Sequence, residues 1–141
     1  MILEKFEDLL GQTLTDVTAT NSKWTSSYTY NGDRVVFTLE SGERYQLQHE
    51  QNCCEVVHIV DICGWLSDLT EGPILLAEAV SNYDVTPEGA PVQDTYGNDS
   101  FTWTFYKLAT NKGAVTFRWY GTSNGCYAED AQFSLYEEKG K

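Results

Sequence analysis

The sequence predicts an α+β fold: a single, largely antiparallel β-sheet of meander and hairpins, with a short N-terminal helix and one or two further short helices. Three observations predict it. Apolar residues recur at helical spacing only at the start of the chain, alternation with a period of two dominates afterwards, and tight-turn signals separate the alternating segments. A chain of 141 residues fits one domain spanning residues 1–141, because a fold of this size buries roughly two-thirds of the surface its unfolded form exposes.

The elements follow in order. Ile2, Leu3, Phe6, Leu9 and Leu10 share a helical face that stops before Gly11, which suits a short amphipathic helix with a glycine at its C-terminal side. Trp24, Tyr28 and Tyr30 then lead to Asn31-Gly32, a hairpin signal because both residues tolerate positive φ, and Val35, Phe37 and Leu39 follow. Ser41-Gly42 turns the chain into Tyr45, Leu47 and His49, so His49 shares a face with two apolar residues and points inward. Residues 53–63 are mostly apolar at both parities, the pattern of a central strand covered on both faces. Trp65, Leu66 and Leu69 suggest a helical turn, and residues 73–80 read as extended or briefly helical. Pro87, Gly89, Pro91 and Gly97 mark residues 81–100 as one long loop, of a length that tends to be mobile or functional. Phe101, Trp103 and Phe105 alternate with threonines; after Asn111-Lys112-Gly113 the pattern resumes as Val115, Phe117 and Trp119, the clearest hairpin in the chain. Residues 133–136 add an edge strand.

Composition narrows the function classes. The formal net charge is −12, and residues 45–106 hold ten carboxylates and no lysine or arginine. That balance disfavours direct nucleic-acid binding, which rests on counterion release by cations; it reads first as solubility and second as attraction to a basic protein surface. No leader pattern opens the chain and no apolar run reaches the roughly 20 residues that cross a bilayer, so a cytoplasmic protein without a membrane partner is expected. Four Trp, nine Tyr and six Phe suit interfaces, including those of a homo-oligomer. Two of the four cysteines, Cys53 and Cys54, are adjacent; bridging neighbours closes a small strained ring, so reduced thiols are expected.

Two blocks carry the candidate site. The first, residues 49–63, holds both histidines and three of the four cysteines. A metal set from His49, Cys53 or Cys54, Glu55 and Asp61 would support a metal-assisted hydrolase, although no Cys-x-x-Cys pair is present and neighbouring residues on a strand point to opposite faces. A thiol nucleophile with His49 or His58 as base is disfavoured by the surrounding carboxylates, which raise a thiol pKa. His58, between valines and an isoleucine, reads as a core histidine, and Glu55 and Asp61 need hydrogen bonds or a partner such as Arg118. The second block, Arg118, Trp119, Tyr120, Ser123, Asn124 and Tyr127 with the glycines among them, combines rings, small polar groups and freed backbone amides, as a pocket for a flat polar molecule requires. Asn124-Gly125 alone reads equally as a tight turn beneath core aromatics. No established catalytic motif appears in either block, and no cofactor is expected.

At these blocks the chain resembles a family of small phage and prophage proteins carrying a domain of unknown function. The resemblance rests on His49, Gln51 and Cys53-Cys54-Glu55, then Asp61-Ile62 and Gly64, and later on Trp119-Tyr120-Gly121, Ser123-Asn124-Gly125 and Tyr127. The family often has an aromatic residue and a serine where this chain has Cys126 and Ala128. The resemblance implies a phage-encoded accessory protein, of a class rich in inhibitors of bacterial defence and acting in the cytoplasm of an infected host. The expectation is therefore non-catalytic binding by a ligand set of His49, Gln51, Cys53, Cys54, Glu55, Asp61, Arg118, Trp119, Tyr120, Ser123, Asn124 and Tyr127. The partner is either a small nucleotide-like signal, held where Arg118, Lys107 and Arg44 converge on phosphate, or a basic host defence protein.

Overall fold

The computed structural model describes residues 2–20 and 33–137. They form eight strands: β1 (Leu14–Thr20), β2 (Arg34–Leu39), β3 (Arg44–Gln48), β4 (Val56–Cys63), β5 (Leu76–Tyr83), β6 (Ser100–Thr110), β7 (Gly113–Ser123) and β8 (Gln132–Leu135). Every pairing is antiparallel, and the strands make two four-stranded sheets in the orders β1-β2-β3-β8 and β4-β7-β6-β5. This two-sheet, almost all-β architecture corrects the single-sheet α+β expectation. The expected strand at Trp24, Tyr28 and Tyr30 and the turn at Asn31-Gly32 lie outside the described residues.

The helices of the α+β reading are 3-10 turns, Phe6–Leu9 and Leu66–Thr70. An isolated helix shorter than about 12–15 residues is marginal even with good helix formers, and the run ending at Leu10 is too short to sustain one. Its apolar residues serve the core instead. Phe6 meets Phe37, Tyr106 and Phe133 edge-on, and the Gly11 amide donates to the Ile74 carbonyl at 2.8 Å, which turns the chain into β1. Among the described residues no helix is long and apolar enough to cross a membrane.

The two inner faces close on each other. One sheet contributes Val35, Phe37, Leu39, Tyr45 and Leu47, the other Ile59, Leu108, Val115, Phe117 and Trp119. Phe37 and Phe117 join the layers with ring centroids 6.1 Å apart, nearly perpendicular. Such a stack of apolar and aromatic side chains drives association by removing its area from water.

β4 is an edge strand paired with β7, not the central strand its composition suggested. Its register slips between Ile59 and Asp61, so Val57 and Ile59 face the core before the slip and Ile62 packs against the core after it. A bulge reverses parity in this way, which explains why both parities looked apolar. The Ile59 amide donates to Oδ2 of buried Asp33 at 2.8 Å, so an acid at the start of β2 covers an amide of this edge.

A second apolar layer lies on the outer face of the same sheet. Trp103 and Tyr120 are fully buried there, with centroids 5.0 Å apart, and Phe101 packs on Tyr120 at 5.6 Å. Residues 84–99 lie along this face; the loop expected over residues 81–100 is shorter, because β5 runs to Tyr83 and β6 starts at Ser100. Trp103 Nε1 donates to Thr86 Oγ1, an Arg118 Nη1 donates to the Gly89 carbonyl, Asn98 donates to Thr122 Oγ1, and Asp84 and Phe101 exchange hydrogen bonds. These contacts fasten the segment as a strap on the outer face.

Candidate functional site

The chain leaves β3 at Gln48 and doubles back within seven residues to begin β4, and this turn is built around one carboxylate. Glu55 is 1 % exposed; Oε2 accepts from the Asn52 amide at 2.9 Å and Oε1 from the Cys53 amide at 2.8 Å. His49 Nε2 lies 2.8 Å from Oε2, and Gln51 Nε2 donates to the Glu55 and Cys53 carbonyls, which closes the turn from outside. Burial alone would raise the Glu55 pKa, but the amides of Asn52 and Cys53 together with His49 outweigh it and hold the carboxyl down at about 2.

His49 is buried, with both ring nitrogens engaged. Nδ1 lies 2.7 Å from the Asp130 carbonyl, and a carbonyl can only accept, so Nδ1 carries a hydrogen. Nε2 faces a carboxylate that is already taking two amide hydrogens. Both ring nitrogens are therefore committed to protein partners in the buried turn. Neither nitrogen is open to a metal or a substrate while these two contacts hold.

The contact with Asp130 brings the two sequence blocks together. Val56 of β4 stands opposite Thr122 of β7, so the first block abuts the end of the second. Residues 129–131 then cross the inner face of β7 at Gly121. A β-carbon on Gly121 would lie 2.1 Å from the Glu129 carbonyl oxygen, so a bare backbone is what admits this crossing. Glu129, 9 % exposed, accepts from Thr102 at 2.7 Å and Ser100 at 3.2 Å, and from Ser123. The Tyr106 hydroxyl accepts from the Ala131 amide at 3.0 Å and donates to the Ala131 carbonyl at 3.2 Å; burial, the largest effect, raises its pKa. Tyr106→Phe should therefore cost about 1–2 kcal/mol in chemical denaturation, the range for a lost hydrogen bond that strands a buried amide.

The remaining nominated residues divide among other places. Asp61 and Arg118 are register partners joined by a bidentate pair with both N–O distances at 2.5 Å. Asp61 raises the Arg118 pKa. Tyr120 is sealed under the strap, where burial first and then Asp94 and Glu129 push its pKa up to about 12. Trp119 is fully buried in the inner core, so it serves packing and not recognition. Asn124 is exposed, with its Oδ1 accepting from the Cys126 amide, and Gly125 donates to Ser123 Oγ: the tight-turn reading of this bend holds. Cys53 and Cys54 are exposed and bonded to each other, which corrects the expectation of reduced thiols; Cys63 and Cys126 are free and exposed.

The metal set nominated from sequence is thus already engaged: His49 on both nitrogens, Glu55 on both oxygens, Asp61 by Arg118, and the two cysteines by each other. Among the described residues no group of three His, Cys, Asp or Glu side chains is arranged to hold a metal ion. The phosphate-binding convergence also fails. Arg118 and Lys107 sit on β7 and β6 and are paired with Asp61 and Glu78, while Arg44 belongs to the other sheet, its guanidinium 4.9 Å from the Tyr136 ring centre.

A family model described as a domain of unknown function, DUF7448, matches residues 7–133. The chain belongs to the DUF7448 family. No curated protein and no solved structure matches it. The matched span of this DUF7448 domain takes in both blocks and the segment of residues 129–131 that joins them. The residues that sequence reading missed are Ser100, Thr102, Tyr106, Gly121 as a packing requirement, and Glu129 with Asp130. One signal for them was present: Ser100, Thr102 and Thr104 share parity with Tyr106 and Leu108, so one face of a single strand switches from apolar to hydroxyl-bearing along its length.

Proposed function

We propose that this DUF7448 protein acts by non-catalytic binding and that the strap of residues 84–99 is its recognition surface for a basic protein. The strap's composition carries this reading. Asp84, Glu88, Asp94 and Asp99 are all exposed, the segment contains no lysine or arginine, and Val85, Val92 and Tyr96 are 60 %, 85 % and 54 % exposed among them. Apolar anchors within a rim of one charge suit a protein interface, and the rim steers an oppositely charged partner. The strap is held to the sheet by side-chain hydrogen bonds on several of its residues, so less ordering remains to be done on binding. A net charge of −12 extends the same field over the whole molecule.

The resemblance noted above supports a phage-encoded setting, with a basic host defence protein as the partner in the cytoplasm of an infected bacterium. Capture of a nucleotide-like signal is the weaker reading, because Arg118 and Lys107 are paired with Asp61 and Glu78 and Arg44 lies on the other sheet. The test is affinity capture from bacterial lysate with the wild-type protein and with a variant carrying Asp84→Asn, Glu88→Gln, Asp94→Asn and Asp99→Asn. A basic partner should be retained at about 50 mM salt, released by about 500 mM as screening shortens the field, and lost to the variant at both. Retention that ignores both salt and substitution would refute the proposal.

A further inference from the structure

A cleft of about 330 Å³ opens at the end of the sandwich where the inner face of β6 turns from apolar to hydroxyl-bearing. Ser100, Thr102, Glu129 and Asp130 line it, with Tyr83 and Tyr127 beside them. Its volume is at the small end of ligand pockets. The strap's carboxylates are not among its lining residues.

Two observations indicate the sign of what it takes. First, Glu129 is more than nine-tenths buried, yet its partners are neutral hydroxyls, and among the described residues no lysine or arginine pairs with it. A buried carboxylate normally has a counter-charge, since hydroxyls satisfy its lone pairs without cancelling its field. Second, the hydroxyls gathered on Glu129 offer accepting lone pairs to the cleft. A hydroxyl that donates its hydrogen to Glu129 keeps lone pairs that accept. Two main-chain donors of the bend beside the cleft are spent within it, the Gly125 amide on Ser123 and the Cys126 amide on Asn124. Asp130 adds a second carboxyl, its pKa raised chiefly by burial, and tyrosine faces attract cations.

We infer that this cleft binds a small organic cation, with one ammonium or guanidinium group seated against Glu129. The ammonium hydrogens donate to the Ser100 and Thr102 oxygens and to the carboxylate, while the ligand's carbon chain lies between the tyrosines. An anion would face Glu129 and Asp130 with no lysine or arginine among the lining residues to offset them.

The test uses n-butylammonium and n-butylguanidinium on the full chain, with 1-butanol as the neutral counterpart, followed by amide chemical shifts. The expected result is saturable shifts concentrated at Ser100, Thr102 and Gly125 for both cations and none there for the alcohol. Glu129→Gln should weaken the affinity by at least about tenfold, equivalent to about 1.4 kcal/mol. Tyr127→Ala, at a half-buried position, should weaken it several-fold with the spectrum otherwise preserved, and it decides the matter if Glu129→Gln fails to fold. Equal shifts with 1-butanol, shifts no stronger in the cleft than along the strap, or unchanged affinity in a folded variant would each overturn the inference. The four-residue strap variant should leave these shifts intact and Glu129→Gln should leave protein capture intact, so the two proposals stand or fall separately.

Discussion

Glu55→Gln should destabilise the protein by about 3 kcal/mol, the upper end of what stranding buried hydrogen-bonding groups costs, with the loss read from denaturant midpoints at neutral pH. The amide is nearly the same size, so the effect isolates charge and donor pattern. One of its two atoms must present hydrogens where Glu55 now accepts from Asn52 or Cys53, and His49 Nε2 loses its carboxylate partner. The same carboxylate sets an acid limb on stability. Its pKa falls from 4.5 in the ordinary state to about 2 in the fold, so between those values the unfolded chain binds the extra proton. The stabilisation is complete above pH 4.5 and is lost as pH falls through 2. Glu55→Gln should flatten this limb. A variant with wild-type midpoints and an unchanged acid limb would show that the turn does not depend on an ionised Glu55.

Gly121→Ala should have an effect of comparable size, about 3 kcal/mol, the upper part of the usual range for forcing extra atoms into a packed site. A contact at 2.1 Å cannot be relieved by a side-chain rotation, because the opposing atoms are backbone carbonyl, carbon and α-carbon of Glu129. Residues 129–131 must move away from β7. With them go the hydroxyl contacts of Glu129, the Tyr106 clasp on Ala131 and the Asp130 carbonyl beneath His49. Amide exchange should therefore rise at Asn52 and Cys53 as well as at Ala131, although Gly121 lies far from the first two in sequence. If the loss stays confined to the neighbourhood of Ala131, the two blocks are coupled less than this geometry implies.

Much of this strand pattern was visible in the residues, because alternation reports one thing directly, which side chains share a face. Val35, Phe37 and Leu39, the Tyr45 and Leu47 pair, and the two arms meeting at residues 111–113 all lie in strands at the positions their spacing indicated. Alternation does not report which sheet a strand joins. That is decided by register and packing between distant segments, and so two sheets were read as one. The helix at the start failed for a different reason: three- and four-residue spacing over so few positions is equally served by a 3-10 turn that seats Phe6 and Leu9 in a β core. At the site, the inward His49 and the need of Glu55 and Asp61 for partners followed from burying charge, and both acids have partners. The partner of Asp61 was anticipated as Arg118, whereas the donors to Glu55 come from amides two and three residues back, a matter of loop shape. The bond between Cys53 and Cys54 and the crossing of Glu129 over Gly121 left no trace that spacing alone could reveal. Trp119 and Tyr120 looked like ligand-facing rings because aromatic residues suit pockets and cores equally, and here both are interior.

The position of β8 also bears on how the protein is made. Tyr45 and Leu47 wait for Leu135 and Phe133 to complete their sheet, and the imidazole of His49 waits for a carbonyl at residue 130. On the ribosome β3 emerges well before β8, at a pace of roughly 5–20 residues per second. The nascent chain must carry an incomplete β3 edge for several seconds, and that edge closes only after synthesis passes residue 135.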